Sequence, residues 1–180
     1  DSHIHAPGKL VVAQYSPAVA ISLAEALGHK PGTDMSGIIN TVLHRYGFDR
    51  VFESSFGADL MILEQARIYE EHKASKQNFP LITSSCPAWI HYLEQYYPEL
   101  IPFISPLKSP QQICGALIRE WFSRTGKQEE QELVSVLITS CTAAKTEARR
   151  MEMTSAGLPV IDLVLTTREL LRMIKLSGLE

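Results

Sequence analysis

Cys86 and Cys141 are the residues of this chain whose type and setting could do chemistry. Each follows an apolar run with Ile-Thr-Ser at its end: Leu81-Ile82-Thr83-Ser84-Ser85-Cys86-Pro87 and Leu137-Ile138-Thr139-Ser140-Cys141-Thr142. A thiol at the carboxyl end of a strand, where a helix begins, sits where α/β sheets place ligands. Backbone N–H groups and the positive end of a helix dipole there favour the thiolate, which is the metal-binding form. The chemistry suggested is a soft metal centre. On spacing alone, two cysteines so far apart are a weak metal signal and read more readily as small apolar core residues. Cys-Pro and Cys-Thr at helix starts favour the metal reading. Cys114, within Gln112-Ile113-Cys114-Gly115-Ala116, lies on an amphipathic pattern and reads as core. A cubane iron–sulfur cluster wants four thiolates, and the chain has only 3 cysteines.

The elements that must position these thiols alternate between strand and helix. Leu10 to Tyr15 reads as a buried strand, with Ser16 and Pro17 opening a helix that Gly28 ends. Pro31-Gly32 turns the chain, Thr33 or Asp34 caps the next helix, and Gly47 stops it. Arg50 to Glu53 is a short strand, and 58–73 carries helical spacing. Pro80 to Thr83 is expected to be the strand before Cys86, and Pro87 suits the first turn of the following helix. Pro98, Pro102, Pro106 and Pro110 mark an irregular loop before a helix over 111–122. Leu133 to Thr139 is β-rich, a short helix follows Cys141, and Val160 to Leu165 forms a last strand. Thr166-Thr167-Arg168-Glu169 is a capping box opening a helix that runs to Gly178. This order predicts an α/β lobe: a small, mostly parallel sheet flanked by helices, with right-handed crossovers. The polar stretch 125–132 is the best place for a tolerated insertion.

The 180 residues allow one domain, or one lobe of something larger. A net charge of -3 gives no electrostatic case for nucleic acid or an anionic membrane. No apolar run approaches the roughly 18 residues needed to span a bilayer. Residues 1–8 read as a linker remnant, and the odd, scattered cysteines fit a reducing, cytoplasmic setting better than a disulfide framework.

Blocks distributed along nearly the whole chain resemble the first part of the H-cluster domain of [FeFe]-hydrogenases. They include Val11 to Val19, Pro31-Gly32-Thr33-Asp34, Gly47 to Glu53, Thr83 to Trp89, Lys108-Ser109-Pro110-Gln111-Gln112, Ser140 to Ala148 and Leu165 to Leu170. The resemblance implies that 9–180 is the first lobe of a two-lobed domain with a [4Fe-4S] cubane and a di-iron subsite between the lobes. Cys86 and Cys141 match two of its four cysteine ligands; the other two belong to a third signature, absent from this sequence. Pro110 and Gln111 match residues lining the di-iron pocket. The implied partners are the second lobe and a ferredoxin-like electron donor or signalling module.

Departures from that pattern fall on the chemistry. Ser85 stands where active members carry a proton-relaying cysteine, and a serine is a poor relay near neutral pH. Gln65 and Ile68 occupy the usual relay glutamates, while Ser105 keeps its place on that path. Thr139 replaces a methionine near the di-iron site. Ala144 stands where a lysine grips a cyanide ligand, and Lys145 follows one residue later, rotated by roughly 100° on a helix. Each missing proton-transfer group typically costs a factor of about 10²–10⁴. The expectation is therefore a divergent member, weakly active or inactive alone. A hydrogen or redox sensor, an iron–sulfur scaffold, and an apo lobe binding no metal are the alternatives.

Blander assignments cover the rest. Trp89, Tyr92, Tyr96 and Tyr97 are expected to pack as core and cluster shielding. His29, His44, His72 and His91 show no ligand spacing. Glu70-Glu71, Glu129-Glu130 and Arg149-Arg150 read as solvated surface.

Overall fold

The computed structural model describes residues 4, 6–75, 80–126 and 130–178. β1 (Lys9–Tyr15) leads through α1 (Pro17–Ala26) and α2 (Ser36–Tyr46) to β2 (Arg50–Glu53). Next come α3 (Ser55–Ala74), α4 (Pro87–Tyr96), a 3-10 helix (Pro98–Phe103) and α5 (Pro110–Arg124). β3 (Glu132–Thr139), α6 (Ala144–Glu147), the two-residue strands β4 (Thr154–Ser155) and β5 (Leu158–Pro159), β6 (Leu163–Thr166) and α7 (Thr167–Ser177) complete the order.

The main sheet has the order β2-β1-β3-β6 and is parallel throughout. Its central strands are buried on both faces, which is why they read as continuous apolar runs. Val11, Ala13 and Tyr15 of β1, with Val134, Val136 and Ile138 of β3, pack against α1, α2 and α7. Val12 and Leu133 face Cys114, Ile118 and Phe122 of α5 on the other side. Leu137 packs there with Ala144, Val160 and Ile161. The chain leaves β1 toward β2 on one side and returns to β3 on the other. That reversal opens a crevice at the carboxyl ends of β1 and β3.

Two glycines permit close packing of α5, Gly57 on the α3 side and Gly115 against the Val160 segment. A Cβ on Gly57 would lie 2.4 Å from the Pro110 carbonyl oxygen, and one on Gly115 would lie 2.7 Å from Val160 Cγ1. At Gly57 the nearest neighbour is backbone, whereas at Gly115 the Val160 and Gln14 side chains fill the space.

The fold matches the expected α/β lobe, with local corrections. Pro80 to Thr83 is not a strand of the sheet. Ile82 forms one parallel bridge with Ile104, through Ile82 N–H to the Phe103 carbonyl and Ser105 N–H to the Ile82 carbonyl, both at 2.7 Å. The last strand starts at Leu163, not Val160. Val160 and Ile161 are buried under α5, and Asp162 turns the chain by accepting from Ser135 N–H at 2.7 Å and donating its own N–H to the Ser135 carbonyl at 2.9 Å. The cap position of α2 is Met35, not Thr33 or Asp34; Asp34 Oδ1 instead accepts from Ser36 N–H at 2.9 Å. Ser16 holds the cap position of α1 without a side-chain capping bond. α3 begins at Ser55, one turn before its apolar spacing becomes visible. The 3-10 helix lies inside the stretch read as an irregular loop, and the β4–β5 hairpin falls where no element was expected. Ile4 packs against the α1/α2/α7 core. Of the expected insertion stretch, 127–129 lie outside the described residues, and so does Glu129.

Candidate metal centre

Cys141 lies two residues past β3, and its N–H donates to Thr139 Oγ1 at 3.2 Å. Cys86 is the cap residue of α4, which Pro87 opens; the Cys86 carbonyl accepts from Ile90 N–H at 3.1 Å. Cys86 follows an extended segment rather than a sheet strand, so only Cys141 takes the expected place at the carboxyl end of a sheet strand. Both thiols are free, Cys86 exposed and Cys141 half-buried.

The segments carrying the two cysteines meet. α4 packs against α6, which starts three residues after Cys141. Arg150 clamps Glu94 of α4 through Nη1 to Oε2 at 2.9 Å and Nη2 to Oε1 at 2.5 Å. Its Nε reaches Glu152 Oε1 at 2.5 Å. The guanidinium holds the Glu94 carboxyl below the usual carboxylate range, and Glu152 is lowered first by its own backbone N–H and then by Arg150. Arg150 is therefore a tie between segments rather than solvated surface. Between them lies a cavity of about 320 Å3, reached by Ser84, Ala88, Ser105, Ala143 and Glu147. Ser84 Oγ donates to the Leu107 carbonyl and fixes the chain just before Cys86.

Cys114 is 5% exposed on α5, facing Gly57 and the sheet. Burial pushes its thiol up to about 11, so it is an inert core residue. The structure leaves it out of the cysteine-bearing segments, as its spacing predicts.

The other expected positions are placed as follows. Ser85 is half-buried beside Cys86. Ser105 is 3% exposed, borders the cavity and accepts from Leu107 N–H at 3.4 Å. Gln65 buries its Nε2 without a partner among the described residues, and Ile68 is buried one helical turn on. Pro110 occupies the first turn of α5. Gln111 donates from Nε2 to Glu147 Oε2 at 2.9 Å, and its carbonyl accepts from Gln14 Nε2 at 3.2 Å. Ala144 is 1% exposed and packs with Leu137, Val160 and Ile161. Lys145 points instead to α7, where Nζ meets Glu169 Oε1 at 2.5 Å.

Besides the Arg150 clamp, two further features escaped the sequence. Glu147 is 5% exposed and joins α6 to α5 through Gln111. The small residues around it (Ala143, Ala144, Ala148) were the available signal, because they let α6 approach its neighbours. The aromatic cluster is also not core. Trp89, Tyr92, Tyr96 and Tyr97 are 40–60% exposed and stack on one another, with Tyr92 at 6.0 Å from Trp89 and 5.0 Å from Tyr96. A ten-residue helix with Leu93 as its buried residue cannot turn four rings inward.

Among the described residues, no three cysteine, histidine or acidic side chains gather as a complete metal site. The donor set is one exposed and one half-buried thiol on neighbouring segments, half the number that a four-thiolate cubane needs.

The parallel α/β lobe, with one cysteine after β3 and another at the start of α4, is of the iron-hydrogenase type. Residues 9–180 match the family described as iron only hydrogenase large subunit, C-terminal domain, and the chain belongs to that family. It is 39% identical over 172 residues to iron hydrogenase 1 of Clostridium pasteurianum, covering 96% of this chain and 30% of that protein. It is 30% identical over 184 residues to cytosolic iron-sulfur assembly component 3 of Rattus norvegicus, covering 97% and 38%. Among solved structures, an apo [FeFe]-hydrogenase from Chlamydomonas reinhardtii superposes with a TM-score of 0.87 at 34% identity, covering 98% of this chain and 46% of that one. The chain thus spans less than half the length of these relatives.

Proposed function

We propose that this chain is the thiol-donating first lobe of a divergent hydrogenase-like iron–sulfur protein, with Cys86 and Cys141 as its two cluster ligands. The observation that carries the reading is the packing of α4 against α6, which brings the segments bearing both thiols together. In a complete site the cluster would supply one-electron redox chemistry at the crevice between the lobes. The residues of this chain would hold it, shield it and set its proton supply. Pro110 and Gln111 would line the di-iron pocket, and Gln111 is oriented by Glu147.

Proton supply is where the chain falls short. Ser85, Gln65 and Ile68 offer no group that titrates near neutrality along the relay positions, and Ser105 alone cannot carry the path. Ala144 has no amine to offer, and the Lys145 amine is engaged by Glu169. Turnover of hydrogen by the chain alone is therefore expected to be negligible. A sensing or iron–sulfur scaffold role is the second reading, supported by the similarity to an iron-sulfur assembly component.

Anaerobic loading with iron and sulfide, followed by iron analysis and electron paramagnetic resonance, tests the proposal. Iron retained by the chain should be lost in Cys86→Ser and in Cys141→Ser and kept in Cys114→Ala. If all three variants behave alike, or the parent chain takes up none, the lobe binds no metal by itself. Brisk hydrogen evolution from maturase-loaded protein would overturn the inactive reading.

A further inference from the structure

The loop after β3 and the start of α7 enclose a separate cavity of about 510 Å3. Ser22, Ser140, Thr142, Thr166, Thr167 and Arg168 line it, and its lining includes no carboxylate. Thr167 is 9% exposed, and its hydroxyl is buried without a partner among the described residues. Arg168 is exposed and has no hydrogen bond or ion pair there.

The backbone adds donors. α7 is an 11-residue helix, long enough for its first turn to carry the positive end of a helix dipole. The capping box takes the N–H groups of Thr166 and Glu169, whereas those between them have no acceptor inside the helix. The Glu169 carboxylate beside the cavity is neutralised by Lys145 at 2.5 Å, so Arg168 leaves the rim with an uncompensated positive charge.

We propose that this cavity is an oxyanion site that takes a phosphate-type group. Arg168 supplies the charge, Thr167 a buried hydroxyl, and the first turn of α7 its N–H groups. The cavity is roomier than a bare anion needs, which points to phosphate carried on a small organic group. The site is independent of the cysteines, although Ser140 and Thr142 flank Cys141.

The test is a titration of the full 15N-labelled chain with inorganic phosphate at fixed ionic strength, with chloride as the control. The Thr167 and Arg168 amides should shift saturably, in the millimolar range, and sulfate should compete. Arg168→Gln and Thr167→Val should each raise the midpoint by about fivefold or more, as expected for loss of a charge-assisted or buried contact. Amides remote from α7 should stay unmoved, which confirms that both variants are folded. Glycerol phosphate serves as the second arm: tighter binding than inorganic phosphate assigns an organic source, and equal binding a free one. No shift beyond the chloride control, or identical titrations for Arg168→Gln and the parent chain, would refute the site. The titration needs no iron, so its failure leaves the cluster proposal standing.

Discussion

At the scale of single residues, Lys145 and Glu169 show how one displaced charge changes its job. The Lys145 amine and the Thr166 N–H and hydroxyl all meet the Glu169 carboxylate, lowering its pKa to about 2. A carboxyl depressed on folding stabilises the native state above its unfolded pKa, and that contribution is lost as pH falls from about 4.5 toward 2. Both side chains are more than a third exposed, so screening reduces the gain to about 0.5–1 kcal/mol. Glu169→Gln keeps the shape of the capping box and removes the charge. Its thermal stability should trail the parent chain at pH 7 and converge with it at pH 2 or below. A gap independent of pH would assign the stabilisation to shape alone. The sequence made the capping box legible because its spacing is local. The pairing of Lys145 with α7 was not legible, because it depends on two elements meeting in space.

Elements fell into two groups by what defines them. Strands buried on both faces, such as Leu133 to Thr139, announced themselves as unbroken apolar runs. Helices with proline at the start, such as α1 and α4, were equally clear. The segment before Cys86 misled because an apolar run beside a proline looks the same whether it joins the sheet or bridges a loop. The candidate site was half legible: the thiols and their helix starts could be read, whereas Glu147, the Arg150 clamp and the outward-facing rings could not. α3 tests the packing argument at this scale. Gly57→Ala would force a methyl against the Pro110 carbonyl and Cys114, and should cost roughly 1–3 kcal/mol in denaturant unfolding. Tyr96→Ala, on the exposed ring stack, should stay within about 1 kcal/mol of the parent chain. Equal losses from the two would show that the α3–α5 approach is not tight.

For the whole molecule, the unevenness of its surface matters most. Phe56, Ile62, Leu63 and Tyr69 lie on one side of α3 and are 46–69% exposed. Such a face favours self-association in an isolated chain. Leu63→Lys should lower association in sedimentation velocity without lowering thermal stability; unchanged association would place the contact elsewhere. No helix among the described residues is long and apolar enough to cross a membrane. The order of the sheet carries a kinetic consequence. Lys9 pairs with Glu132 at the centre of the sheet, so β1 waits for a strand made far later in synthesis. Until then only β2 can flank it. A nascent chain therefore holds an open apolar edge until residues 132–139 have been made, and refolding should be slow for its size because the decisive loop closure is a long one.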